Sequence, residues 1–443
     1  MAPRHAVRAA PLCAALLLAF ALLATPASAD DEAPLADPPV VGEPVPMAAS
    51  IAALAPATAR AEAKAQGAVL ADKMREEVAT AKAEAKAALD NADATWQSYL
   101  AAQQSQIAEA KASAGDGGEL PKSLSVLAAD GDAGARALAR RKAVFLRNLR
   151  DINRRNAKSG DMLVFGVNNF THLSAKEFKD IYLSSVFPPT APEDSGRKLL
   201  QTKDTLQCNK KVNFPFGGVT PKAIDHRSLG TVTPAKNQGQ CGSCAAFAAA
   251  SAFESAFIAK WGATKGYTAR NTDLSEQDLL SCTSGDGCEG AWPNVYVDRV
   301  ACKGTLFEAA ASYKASDSDR CPSVTREASG VKSWSYVPGN ERSFAQALSH
   351  NPIAITVSGN ELQSYRAGVY NCGGNQPMNH AITIVAYKTS VPMSNGEKWN
   401  IFPAKNSWGS GWGESGFVNF RANCGGTGSL KIYEYQAVLP IRG

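Results

Sequence analysis

An excess of one sign of charge is missing from this 443-residue chain: 46 basic residues face 41 acidic ones, a formal charge of +5. So mild and mixed a balance gives no ground for a nucleic-acid partner or a polybasic membrane contact. Long apolar runs are scarce too. The one at the N-terminus, Ala9 to Leu23, follows Arg4, His5 and Arg8 and ends in Ala27-Ser28-Ala29, the pattern of a cleavable secretory signal over residues 1–29. It is shorter than the roughly 20 residues a spanning helix needs, which counts against an uncleaved anchor. Nothing later is long and apolar enough to cross a bilayer. The expectation is a protein of the secretory pathway with no membrane span after signal cleavage, bound for the extracellular space or a lysosome or vacuole. Also missing is any second C-x-x-C or histidine pair beside Cys241-Gly-Ser-Cys244, which removes the zinc and redox readings of that tetrapeptide. No metal or cofactor is implied.

Ten cysteines are present. Cys13 leaves with the signal and the other nine are an odd number, so one thiol should be left over in an oxidising compartment. The length allows two or more folded units. Residues 30–92 pass from an acidic, proline-rich stretch without core spacing (DDEAPLADPPVVGEPVP) into an Ala/Lys/Glu/Gln-rich segment, from Ala48 to about Ala114, that favours helix. That segment reads as a solvated helical arm, except that Trp96 and Tyr99 share a helical face and could dock. The basic amphipathic stretch RRKAVFLRNLRDINRRNA follows a Gly/Asp-rich break. Residues 186–219 are rich in turn residues and read as a linker exposed to cutting. Residues 220–443 have the size of one larger domain, helices first and short strand-like runs (AITIVAY, GFVNF, YQAVL) afterwards. That order predicts an α+β unit with segregated layers.

The chemistry concentrates in KNQGQCGSCAAFAAASAFESAFIAKWG. Ser243 and Cys244 stand where a glycine-rich loop becomes an alanine-rich helix predicted to stop near Gly262. The helix N-terminus should favour thiolate and lower the Cys244 pKa. A thiolate nucleophile needs an imidazole to carry its proton. Of the three histidines after residue 220, His380 opens the strand-like run HAITIVAY, whereas His226 and His350 read as surface residues. Asn406, in PAKNSWGSGWGESG, is the acceptor that would orient the ring, with Trp408 able to shield it from water.

These residues resemble the papain family of cysteine proteases, its cathepsin L-like branch in particular. The signature C-G-[SA]-C-[WY] with a downstream His and Asn is a known pattern, and N-S-W-G-x-x-W-G-x-x-G is complete from Asn406 to Gly416. The resemblance implies a two-subdomain fold, a helical half and an antiparallel, barrel-like half, behind an α-rich propeptide. It implies that the amide of Gln238 joins the Cys244 N–H in an oxyanion hole. Upstream, Arg141, Phe145, Asn148, Ile152 and Asn156 follow the inhibitory E-x3-R-x3-F-x2-N-x3-I-x3-N (ERFNIN-type) pattern, with Ala137 at the glutamate position. Gly166, Asn168 and Phe170 follow G-x-N-x-F-x-D, with His172 at the aspartate position. Residues 93–185 therefore resemble a built-in inhibitor, with an insertion near 110–135, to be removed up to about Thr220. His172 is expected to make that step pH-sensitive, since it gains charge as pH falls through about 6.5.

By the same resemblance, disulfides are expected at Cys241–Cys288, Cys282–Cys321 and Cys372–Cys424, leaving Cys208 and Cys302 paired with each other or free. Gly290 and Ala291 would hold substrate backbone. Trp292, Pro293, Met378 and Ala381 would line an apolar pocket for the second residue before the cut, and Glu254, Glu276 and Lys405 would cluster beneath the catalytic elements. The chain departs from the pattern at Ala245, where the family has tryptophan, which implies a roomier, wetter site. It departs again at Ala291 in the G-C-x-G-G loop and in a longer interval from His380 to Asn406, assigned to a hairpin around PMSNGEK. The implied partners are polypeptide substrates and the chain's own propeptide, and the implied state is a monomer. A binding module has no need of four matched reacting groups, and transglutaminase-like acyl transfer gives no reason for an inhibitory propeptide. No histidine pair lies between Cys282 and Cys321 to form an occluding loop, so endopeptidase action is expected.

Overall fold

A computed structural model of the chain describes residues 75–443 except 115–119, 121, 126, 129–130, 185–209, 218–219, 284–286, 318–319 and 436. The signal segment, the acidic stretch 30–46 and most of the linker 186–219 lie outside the described residues.

The alanine-rich extension is not a solvated arm in its described part. A helix over residues 75–90 buries Val78 and Ala85, and the Asn153 side chain donates to the Ala85 carbonyl at 2.9 Å. Helix α1 (Ala92–Ala114) then presents Trp96 and Tyr99 to Phe145 of helix α2 (Gly131–Lys158), with ring centroids 5.2 and 4.8 Å apart. Along α2 the buried positions Phe145, Leu149, Ile152 and Asn156 recur at helical spacing and define one inward face. Asn156 closes that face: its amide donates to the Phe165 carbonyl and accepts from the Phe165 N–H, at 2.9 and 2.8 Å. This fixes the start of strand β1 (Leu163–Phe165), which pairs antiparallel with β5 (Tyr365–Tyr370) of the following domain. Helix α3 (Ala175–Tyr182) starts with a Ser174/Glu177 capping box. Glu177 also pairs with Arg141 of α2 at 2.6 Å, and that guanidinium holds its carboxyl down at about 2.

From residue 220 the chain forms the expected α+β unit. Helices α4 (Cys244–Lys265), α5 (Glu276–Cys282) and α6 (Pro293–Lys303) make one half. Their core gathers Phe253, Phe257, Leu279, Val297 and Trp334. Helix α4 runs past Gly262 to Lys265 and stops at Gly266, whose φ of 75° suits glycine and whose N–H returns to the Gly262 carbonyl. The other half is built from β2 (Ala223–Asp225), β3 (Val331–Val337), α7 (Glu341–Leu348), β4 (Ile353–Val357), β5, β6 (His380–Ile384), β7 (Ala386–Pro392), β8 (Lys398–Lys405), β9 (Phe417–Arg421) and β10 (Ala437–Arg442). The strand order is β1-β5-β9-β8-β6-β4-β10-β3, with β2 and β7 branching from β8. All these pairings are antiparallel except β5 with β9.

Cys241–Cys288, Cys282–Cys321 and Cys372–Cys424 are bridged, and Cys244 is the free thiol among the described residues. Cys302 is disulfide-bonded as well, while Cys208 lies outside the described residues. His226 is not at the surface: it is buried, with Nε2 on the Leu348 carbonyl at 2.8 Å. His350 is half-buried beneath Phe216.

Candidate active site

Three elements converge on one point. Cys244 is the first residue of α4, His380 the first of β6, and Asn406 follows directly on β8, the antiparallel neighbour of β6. His380 Nε2 meets Asn406 Oδ1 at 2.7 Å, and because that oxygen only accepts, the imidazole proton sits on Nε2. Nδ1 is thereby left as the basic nitrogen, and it has no hydrogen-bond partner among the described residues. Trp408 stacks on the ring at 4.5 Å between centroids. Gln238 is fully buried. Its Nε2 donates to the Cys241 carbonyl at 2.9 Å, and its Oε1 accepts from the Ser407 hydroxyl at 2.6 Å.

The site is closed by residues upstream. Gln238 Nε2 also donates to the Tyr182 carbonyl at 3.2 Å. The Ser184 hydroxyl lies 3.0 Å from the Gly242 carbonyl and 3.1 Å from Cys244 Sγ, and its N–H donates to the Asn379 carbonyl at 2.9 Å. Gly290 has a φ of 110°, and a Cβ there would stand 2.6 Å from the Ser184 Cβ, so glycine lets the two backbones approach. Phe170 and Phe178 set their rings edge-on to Trp408 at 5.5 and 5.2 Å. Burial under this cover pushes the Cys244 thiol above its ordinary value, opposite to the low value expected from the helix terminus, because desolvation outweighs the dipole while water is shut out. Burial likewise holds the His380 imidazole down at about 4. Both shifts favour the neutral thiol and the neutral imidazole in this closed form.

Beneath the site, Glu254, Glu276 and Lys405 do gather, around a lysine the sequence reading passed over. Lys236 Nζ reaches Glu254 at 2.8 Å, Glu276 at 3.0 Å and Asp273 at 2.6 Å, while Lys405 lies 3.5 Å from Glu254. Two ammonium groups serve three carboxylates, and burial pushes Glu276 up to about 8. Tyr313 was missed too. Its hydroxyl donates to the Gln238 carbonyl at 2.6 Å and meets the Ser243 hydroxyl at 2.7 Å, tying the glutamine to the residue before the nucleophile. Nothing in its sequence neighbourhood marks it.

Of the proposed pocket residues, Pro293, Met378 and Ala381 are buried, while Trp292 packs edge-on against Tyr435 at 5.0 Å, a residue not anticipated. Ala291 is half-buried against the helical core. Ala245 is 1% exposed and belongs to that core, together with Tyr296 and Ala381.

A buried thiol at a helix start, an imidazole held by an amide, and a second buried amide are the reacting groups of a thiol hydrolase. The Papain family cysteine protease model matches residues 220–437. Ananain of Ananas comosus is 33% identical over 279 residues, 62% of this chain and 73% of its own length. A recombinant stem bromelain precursor superposes with a TM-score of 0.55 at 29% identity, over 71% of this chain and 94% of its own. Digestive procathepsin L 3 of Tenebrio molitor larval midgut does so with 0.53 at 27%, over 71% and 95%. The chain belongs to the papain family of cysteine proteases.

Proposed function

We propose that the chain is a cysteine endopeptidase of the secretory route, made as a zymogen, which acts as a monomer on polypeptides. Cys244 is the nucleophile. His380 Nδ1 takes its proton, the thiolate attacks the scissile carbonyl, and the oxyanion forms between the Gln238 amide and the Cys244 N–H. The proton then passes from His380 to the leaving amine. Water, deprotonated by the same nitrogen, releases the acyl group and restores the thiol. Asn406 keeps the ring oriented without adding charge.

The observation that carries this reading is the cover over the site. A carbonyl, Tyr182 O, occupies the amide that would hold the oxyanion, and Ser184 occupies the nucleophile. In the segment that supplies them Arg141 pairs with Glu177, Phe145 packs against Trp96, and Asn148 donates to the Thr171 and Leu173 carbonyls at 2.7 and 2.8 Å, contacts that support the ERFNIN-type reading. Trp292, Pro293, Met378 and Ala381, with Tyr435 beside them, supply apolar walls that favour a hydrophobic residue two before the cut. Gly290 and Ala291 flank substrate backbone.

Processed protein should hydrolyse a fluorogenic peptide with a hydrophobic second residue. Cys244→Ala should lower kcat by about 10⁴-fold or more while leaving the fold intact. A folded variant with undiminished activity would overturn the assignment, and a profile dominated by Arg or Glu at that position would overturn the pocket.

A further inference from the structure

Residues 210–217, read from sequence as the end of a disposable linker, are seated on the catalytic domain. The Lys210 N–H donates to Asp298 of α6 at 3.0 Å, the carboxylate that also accepts from the Trp334 indole at 2.7 Å. The Trp334 N–H donates to the Lys210 carbonyl at 3.0 Å, and its carbonyl accepts from the Val212 N–H at 2.8 Å. This parallel bridge lies along β3, the last strand of the sheet. Lys211 Nζ stands 4.8 Å over the Tyr336 ring. Phe214 and Phe216 pack on the main core, and Phe216 stacks on His350 at 3.5 Å. Every one of these partners lies beyond residue 220. None belongs to the segment that covers the active site.

Two consequences follow. Removing this stretch would expose the free edge of β3 and strip the partners from the N–H and C=O of Trp334, a residue only 2% exposed. A chain paired to a sheet edge and held by two rings also has to detach before it can lie extended in a protease cleft. We propose that maturation leaves residues 210–217 on the enzyme: the cut that frees the inhibitory segment falls on the N-terminal side of Lys210. The segment persists as an arm capping the β3 edge. The inference rests on the zymogen reading above and moves the boundary away from the neighbourhood of Thr220.

N-terminal sequencing and intact mass of the self-processed protein, taken after reduction so that no fragment is held by a disulfide, read the boundary directly. A catalytic chain beginning at or before Lys210 is expected, and one beginning between residues 218 and 221 would overturn the proposal. Absence of any self-cleavage would count against the zymogen reading alone. The boundary is then read from full-length Cys244→Ala digested briefly with subtilisin, where a catalytic fragment keeping 210–217 supports the arm and one starting after Gly217 refutes it. In the matured enzyme Phe216→Ala should lower Tm by about 2–4 °C. An unchanged Tm would mean that the arm has gone.

Discussion

The segment that covers the site and the papain-like domain beneath it are held together by different means. The catalytic domain carries three bridges among the described residues and a core in each half. The segment before it has one cluster of its own, around Trp96, Tyr99, Phe145 and Leu149. Others of its apolar residues, among them Phe165, Phe170, Phe178, Tyr182 and Leu183, share a core with Trp408, Tyr370 and Phe420 of the domain it covers. Strand β1 likewise completes the edge of a sheet that is otherwise the domain's. Much of the segment's structure therefore exists only while it is docked, so a modest perturbation can release it and leave a stapled enzyme standing.

Phe145→Ala should break that comparison most strongly. It deletes the ring at the centre of the segment's own cluster, a loss of about 3–5 kcal/mol for a buried phenylalanine. Unprocessed protein should leak peptidase activity at neutral pH, while the matured enzyme keeps its kcat and Tm. A variant as silent as wild type would mean that docking alone holds the cover.

His172 sharpens the comparison through pH. It is fully buried, with Nε2 donating to the Ser123 carbonyl at 2.7 Å and Nδ1 accepting from the Tyr99 hydroxyl at 2.6 Å. Burial, with Arg141 adding to it against Glu177, lowers its pKa to about 4, below the 6.5 at which protonation was expected. A depressed pKa means that the released segment binds the proton more readily than the docked one. The neutral ring thus supports the closed form fully above pH 6.5, and that support is lost as pH falls toward 4, up to about 3 kcal/mol. Protonation need not break the contact with Tyr99, whose hydroxyl can turn to the Asn169 carbonyl 3.1 Å away. The cost is that of burying charge. His172→Asn should flatten the acid acceleration of self-processing by about tenfold or more, and an unchanged pH profile would remove His172 from the trigger.

On the catalytic side, Ala245→Trp should destabilise the matured domain by about 1–3 kcal/mol through overpacking, read as a lower Tm. Higher turnover at equal Tm would show that room for the indole had been kept. The smallest effect belongs to Tyr313→Phe, which removes one hydroxyl and leaves the ring on Phe247, 4.9 Å away. We expect kcat to fall about three- to tenfold, near the worth of one hydrogen bond, with KM nearly constant. A change in Tm without a change in kcat would reduce Tyr313 to a packing residue.

The reacting groups were legible in the sequence because their neighbours are distinctive: Cys244 in a glycine-rich loop, His380 at a strand start, Asn406 before Ser-Trp-Gly. The bridges followed from resemblance. Lys236, Tyr313 and Ser184 were not legible, since a lysine, a tyrosine and a serine acquire their roles only from partners 40, 75 and 60 residues away. The packed helix over 75–90 escaped because alanine serves an exposed helix and a close helix–helix contact equally well. The raised Cys244 pKa of the covered form was not legible for a related reason: the helix terminus is visible in the sequence, while the cover that desolvates the thiol is a tertiary fact.

Alkylation of Cys244 by iodoacetamide, followed by mass spectrometry from pH 4 to 9 before and after processing, tests the central claim that docking keeps thiol and imidazole neutral. Removal of the segment should raise the rate near pH 6 by about 100-fold or more and extend reactivity well below pH 8.5, the ordinary thiol value. Equal rates and equal pH profiles in the two forms would contradict the account.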